Sequence, residues 1–257
     1  MSEQLILTET TVSMPVTAPP TQADLPYDDG VPMESERHKA QMDLLIYSLS
    51  SWLDNRDNGY VGGNMFVYYS LAQIKNKDYK GPDVFVALDV PKGERRSWVI
   101  WEEGKASDVV IELLSATTAK YDKKEKKQIY QNQMRVPEYF WFDPFKPNDW
   151  AGFRLQNGVY QPIVVNEQNQ LVSQRLGLSL VRWQGSYKSV KATWLRWANL
   201  NGELLPTPQE RAEEEKQRAN QAESKLQQVA RNLLKQGMTV EEVASLTGLS
   251  ESQVKEY

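Results

Sequence analysis

The chain has no cysteine and only one histidine in 257 residues. The first absence excludes a disulfide framework, a thiolate metal site and a thiol nucleophile. The second excludes a zinc site built from several histidines. No apolar run approaches the ~20 residues that span a bilayer. Residues 1–20 have neither the basic start nor the solid apolar stretch of a secretory signal. A cytoplasmic protein with no membrane partner is the expectation. An excess of positive charge is also missing: the formal net charge is −4, whereas nucleic-acid-binding domains usually present a basic surface. The sum hides a local patch, because Lys120, Lys123, Lys124, Lys126 and Lys127 crowd one short stretch.

What is present suits a globular protein, with 40% hydrophobic and 25% charged residues, enough for one well-buried domain plus an appendage. Residues 1–30 mix Thr, Pro, Asp and Gly without periodicity and read as a flexible arm, partly laid over the core. From Glu34 to Asp54, Met42, Leu45, Ile46, Leu49, Trp52 and Leu53 form one helical stripe. Tyr60–Tyr69 reads as a strand. A basic loop, Lys75–Lys80, follows, and then a short strand, Val84–Leu88, behind Gly81-Pro82-Asp83. Trp98–Trp101 suggests another short strand. Asp108–Leu114 is the most buried-looking strand, apolar throughout except for Glu112. Ser115–Arg135 is helical and highly charged, and Pro137–Phe142 is a further strand. Asn157-Gly158 between two apolar runs signals a hairpin, and Leu176–Trp183 is a last strand. The order predicts a mixed α/β domain with a central sheet over residues 31–205.

At Thr207 the character changes. Thr207-Pro208-Gln209-Glu210 is a capping box with proline at the first helical position. It predicts a long charged helix across 206–237, a candidate coiled coil whose apolar seam is thin. Residues 238–257 contain two more capping boxes, Thr239 with Glu242 and Ser250 with Gln253. Gly248 lies between them, which predicts a helix-turn-helix-like hairpin with Val240, Val243, Leu246, Leu249 and Val254 on its shared apolar side. Its second helix is poor in basic and amide side chains, which favours contact with protein over reading of DNA.

Glu112 is the residue hardest to explain as structure, since a lone carboxylate in a buried strand costs several kcal/mol unless paired or metal-bound. A salt bridge to a neighbouring helix is the plain alternative. Asp83, directly after Pro82, reads on its own as a turn residue. Taken together, the two acids lie on two apolar strands joined by one hairpin-like excursion. Adjacent strands are ~5 Å apart, so side chains on one face could share a cation. Two carboxylates completed by water and a substrate phosphate is how Mg²⁺ is usually held.

The blocks Gly81-Pro82-Asp83, Val110-Ile111-Glu112-Leu113-Leu114-Ser115, then Asp122, Lys126 and Tyr130 at four-residue steps, then Val136-Pro137-Glu138-Tyr139-Phe140-Trp141-Phe142-Asp143-Pro144, resemble the Uma-two restriction endonuclease family of the PD-(D/E)XK nuclease superfamily. The resemblance runs from about Met33 to about Trp183. It implies a restriction-endonuclease-like mixed central sheet flanked by helices, with the long helix and helical hairpin appended. It implies that Asp83 and Glu112 bind the metal, Mg²⁺ or else Mn²⁺, with Glu34 from the first helix as a further ligand and Glu36 a weaker candidate. His38 is an orienting or surface residue. The superfamily lysine, expected two residues after the second acid, is replaced by Leu114. The resemblance suggests that it has moved to the following helix, where Lys126 is the first candidate and Lys127 and Lys123 are alternatives; the other lysines there read as a solvated face. The aromatics Tyr68, Tyr69, Trp98, Trp101, Trp141 and Phe142 read as sheet packing more than base stacking. The implied function is a Mg²⁺-dependent endodeoxyribonuclease, a hydrolase of phosphodiester bonds in DNA. The alternative is a catalytically silent domain serving nucleic-acid binding or protein assembly. The C-terminal helices would support a homo-oligomer, such as a dimer.

Overall fold

The apolar run around Glu112 becomes the middle of the protein. A computed structural model describes residues 18–27, 35–71 and 79–256. After the helix α1 (Glu36–Leu53) come β1 (Tyr60–Gly62), β2 (Val67–Tyr68), β3 (Val84–Ala87), β4 (Trp98–Val99) and β5 (Val109–Leu113). A helical stretch over 119–132 leads to β6 (Glu138–Phe142), and β7 (Trp150–Gln156) and β8 (Val159–Ile163) form a hairpin. β9 (Gln170–Ser173), β10 (Leu178–Tyr187) and β11 (Val190–Ala198) complete the strands.

The central sheet has the order β1-β3-β5-β6-β7-β8. Its pairs are antiparallel except β5 with β6. A parallel pair needs a crossover connection, and the 119–132 helix supplies it. The expected mixed sheet flanked by helices is therefore present, and β5 is buried at every position. Alternation along β5 divides its side chains. Val109, Ile111 and Leu113 join a core with α1 and the β9–β11 sheet, whereas Val110 joins a second core containing Tyr130 and Tyr139. Glu112 shares the parity of Val110, so it faces the 119–132 helix.

Several elements depart from the sequence expectation. Tyr60–Tyr69 is not one strand: it breaks after Gly62, Asn64 takes a positive φ of 48°, and its N–H donates to the Pro82 carbonyl at 3.0 Å. Trp98–Trp101 yields only two strand residues before a helical turn, Ile100–Glu103. The single last strand expected at 176–183 is part of a separate three-stranded antiparallel sheet, β11-β10-β9. Its β10–β11 turn places Lys188 and Ser189 at positive φ, where glycine or asparagine would have signalled a hairpin. The Asn157-Gly158 turn forms as expected, with both residues at positive φ.

The described part of the N-terminal arm is docked. Tyr68 donates its hydroxyl to the Pro26 carbonyl and Trp101 its indole N–H to the Pro20 carbonyl, each at 2.7 Å. Residues 1–17 and 28–30 of the arm, and 75–78 of the basic loop, lie outside the described residues. At the C-terminus all three capping boxes form, starting helices Pro208–Lys235, Val240–Thr247 and Glu251–Val254. Ala230, Val243 and Val254 make a small core of their own. Leu246, expected on that apolar side, is instead 67% exposed. The aromatics divide: Tyr68, Trp98 and Phe142 are buried in packing, while Tyr69, Trp101 and Trp141 keep partial exposure.

Gly63 holds the break next to Asp83. A Cβ there would lie 2.0 Å from the Asp83 carbonyl oxygen and 3.0 Å from Ile46 Cδ1. Close approach of backbone, not a special dihedral, demands the glycine. Gly63→Ala is expected to cost about 1–3 kcal/mol, the range for overpacking, read as a lower urea midpoint; an unchanged midpoint would show that the 63–66 segment can move aside.

Candidate active site

Two strands bring the acids together. Val84 pairs with Ile111 across β3 and β5. Carrying that register one residue further places Asp83 opposite Glu112, on the same face. There the backbone ladder ends and a side chain continues it, since the Leu113 N–H donates to Asp83 Oδ2 at 2.7 Å. Asp83 keeps partial exposure, while Glu112 is fully buried. The pair thus has one member toward solvent and one sealed inside.

The 119–132 helix supplies the rest. The Tyr130 hydroxyl donates to Glu112 Oε1 at 2.6 Å, and Lys126 Nζ donates to Oε2 at 3.0 Å. Lys126 Nζ also lies 3.1 Å from Asp122 Oδ1. Asp122, Lys126 and Tyr130 are the stripe visible in the sequence at four-residue steps. Its geometry is unusual, because Asp122–Lys126 is a π turn in which the Lys127 N–H reaches back to the Asp122 carbonyl. π turns inside α-helices are frequent at functional sites. The Tyr139 hydroxyl from β6 donates to the same carbonyl at 3.0 Å, which anchors the widened turn to the sheet.

Burial and like charge set the electrostatics. Burial, reinforced by Asp83 and opposed by Lys126, pushes Glu112 up from 4.5 to about 7. Burial likewise raises Asp83, although Lys126 and the Leu113 N–H pull the other way. Burial raises Asp122, and the charge of Glu112 adds to it. Burial disfavours the Lys126 ammonium, but Glu112, Asp122 and Asp83 outweigh it and hold the amine above its usual range. With every group ionised, three carboxylates face one ammonium, a deficit of two positive charges in a poorly solvated site. Protons or a divalent cation would offset it.

Among the described residues no group of three or more His, Cys, Asp or Glu is placed to hold a metal. Two carboxylates nevertheless suffice for Mg²⁺ when water and a phosphate complete the shell, so Asp83 and Glu112 fit such an ion. Glu34 lies outside the described residues, and Glu36 is exposed. Of the lysine candidates, only Lys126 is shown in contact with Glu112. Lys123 pairs with Asp149 at 2.6 Å, and Lys127 Nζ lies 3.3 Å from the Phe153 ring centre. Leu114 is buried, its N–H given to the Phe142 carbonyl at 2.8 Å.

His38 is buried, not superficial. Its Nε2 is 3.0 Å from the Leu114 carbonyl and its Nδ1 is 2.8 Å from Ser35 Oγ. A carbonyl can only accept, so Nε2 carries the proton and the imidazole ties α1 to the end of β5. The sequence reading gave Asp122 and Tyr130 no role, although their spacing from Lys126 was the available signal. Gly63 was missed inside a run that looked like plain strand.

Because Glu112 holds its proton more tightly folded than unfolded, the folded state binds more protons between pH 4.5 and about 7. The contribution of Glu112 to stability is therefore full below that window and is lost as pH rises through it. Urea unfolding across the window should show the fall in the wild type and a smaller one in Glu112→Gln; equal falls would assign the effect to other groups.

No curated protein matches the chain. Among solved structures, one described as "a putative nuclease belonging to DUF820" from Anabaena variabilis ATCC 29413 matches with 16% identity and a TM-score of 0.40, over 56% of this chain and 84% of that one. A likeness that loose carries no argument about the site. The family comparison is firmer. The profile described as "Putative restriction endonuclease" matches residues 14–187, which takes in Asp83, Glu112 and Lys126 and most of the chain; the protein belongs to the Uma2 family.

Proposed function

We propose that this protein is a metal-dependent endonuclease that hydrolyses phosphodiester bonds of DNA, with Asp83, Glu112 and Lys126 as its working groups. The observation that carries the reading is the pairing of two carboxyls on adjacent strands, with the Lys126 ammonium 3.0 Å from one of them. Nuclease chemistry is the family's.

Asp83 and Glu112 would hold Mg²⁺ or Mn²⁺. Such an ion supplies positive charge at a phosphoryl oxygen and acidifies a nearby water. Partly exposed Asp83 marks the side from which a phosphate reaches the pair. Tyr130 fixes one oxygen of Glu112 and so sets the direction of the other. Lys126 stays protonated at neutral pH, given its acidic neighbours. It therefore serves as a fixed positive charge beside the phosphate, not as a proton acceptor. It takes the place that Leu114 leaves empty of charge. Asp122 positions that ammonium.

One observation favours the silent reading: both Glu112 oxygens already have protein donors, so an ion would have to displace or share one of them. The C-terminal hairpin fits protein contact, with an exposed helix of 28 residues in which only Ala230 is buried. Self-association through these helices is the accompanying proposal.

Supercoiled plasmid and single-stranded DNA, incubated with Mg²⁺, Mn²⁺ or chelator, decide between the readings. Metal-dependent nicking by the wild type, reduced at least about 100-fold in Glu112→Gln, is expected from the loss of a metal-holding group. No nicking by a folded wild type would leave the silent domain. Mg²⁺ should also raise the melting temperature more at pH 8 than at pH 5.5, since protons and cation compete for the same carboxyls.

A further inference from the structure

The flank of the 119–132 helix holds a groove of about 490 Å³ lined by Lys123, Lys124, Lys127, Gln128 and Gln131. Three of these residues are cationic, two are amides and none is acidic, in a chain whose net charge is −4. A lysine face that is merely solvated gains helix stability by alternating with acids at three- and four-residue spacing. Here Lys123 and Lys127 are four apart and Lys124 and Lys127 three apart, so like charges face each other, at a cost of a few tenths of a kcal/mol per pair.

The lysines are also held in place. Lys123 lies over the Trp141 ring at 5.4 Å while paired to Asp149. Lys127 lies over Phe153 at 3.3 Å and over Trp141 at 5.8 Å. Gln131 is fixed through its carbonyl, which accepts the Tyr160 N–H at 2.7 Å. Trp141 is the β6 partner of Glu112, one strand spacing, about 5 Å, from that acid and two from Asp83 on the β3 side. The groove therefore flanks Glu112 on the β6–β7 side, across β5 from Asp83, on the same helix that delivers Lys126.

We propose that this groove binds the phosphodiester backbone of a nucleic-acid strand and leads it to Asp83 and Glu112. Lys123, Lys124 and Lys127 are positioning residues that recognise charge and carry no base specificity, and the two glutamines donate hydrogen bonds to phosphate or sugar oxygens. The inference rests on the nuclease reading, because it names the substrate path to that site.

The test separates binding from cutting. Full-length Glu112→Gln protein is titrated against fluorescein-labelled single-stranded and duplex oligonucleotides, with chelator, from about 50 to 200 mM salt, a range over which phosphate contacts are resolved. Adding Lys123→Ala, Lys124→Ala and Lys127→Ala together should weaken binding more than about tenfold and lower the salt slope by about one per lysine removed. Lys124→Glu alone, at an exposed position that unfolding does not complicate, should weaken binding several-fold. Lys120→Ala, outside the groove, should not. An unchanged salt slope in the triple variant and unchanged affinity in Lys124→Glu overturn the groove, as does a Glu112→Gln protein that binds no oligonucleotide. Lysine-dependent binding without any wild-type cleavage keeps the groove and removes the catalytic reading. Cleavage with lysine-independent binding does the reverse.

Discussion

A carboxylate placed in the middle of the most buried strand sets the terms for everything around it. Glu112 sits in β5 with apolar residues on both sides, and an ionised group there is tolerated only with dedicated partners. Both partners come from one helix, Tyr130 and Lys126. That helix is also the crossover between the two parallel strands. The polar requirement of one side chain and the topological requirement of the sheet are thus met by the same segment. Removing Lys126 would leave the buried carboxylate without its countercharge, a loss of about 3–5 kcal/mol in comparable pairs, and removing Tyr130 would leave one of its oxygens without a donor, at about 1–3 kcal/mol.

Other buried acids show that burial alone does not make a site. Asp108, four residues earlier, accepts from the Leu88 N–H, from Lys105 and from Arg175. These donors outweigh burial and lower its pKa. Glu138 accepts from Arg154, Ser173 and the Gln174 N–H, which fastens the central sheet to the β9–β11 sheet. Those carboxylates are saturated by donors and act as clamps. Glu112 has another acid beside it, and burial pushes its pKa up, opposite to Asp108. Identical functional groups within one strand neighbourhood are sorted into structure and chemistry by the number of donors each receives.

Much of this was readable from residue patterns, for identifiable reasons. Glu112 stood out because it interrupts an apolar strand, and Asp83, at the mouth of the neighbouring one, gained weight only beside it and within the family blocks; the register that sets them opposite each other came from the structure. The Asn157-Gly158 turn and the three capping boxes are local motifs whose hydrogen bonds depend on residues three or four apart. What stayed hidden depended on distant partners. Residues 60–69 have strand composition, and only the approach of the Asp83 backbone to Gly63 explains why they break. The β9–β11 sheet is joined by a Lys188-Ser189 turn that carries no turn chemistry. Leu246 sits at a helical spacing that matches Val243, yet it is exposed and takes no part in the small C-terminal core. At the site, the four-residue steps of Asp122, Lys126 and Tyr130 singled out Lys126, the lysine that contacts Glu112, whereas the π turn that carries it left no mark in the sequence.

That winding has a consequence for how such proteins are compared. The π turn places one extra residue in the coil between Asp122 and Lys127, so the phase of everything downstream is displaced by one position, about 100° of rotation on a regular helix. A chain shorter by a single residue in this stretch would close the turn to a regular α-helix. Gapless matching across 119–132 would then pair residues that occupy different faces. Homology here is a matter of angular register, and a one-residue deletion would count for more than many substitutions.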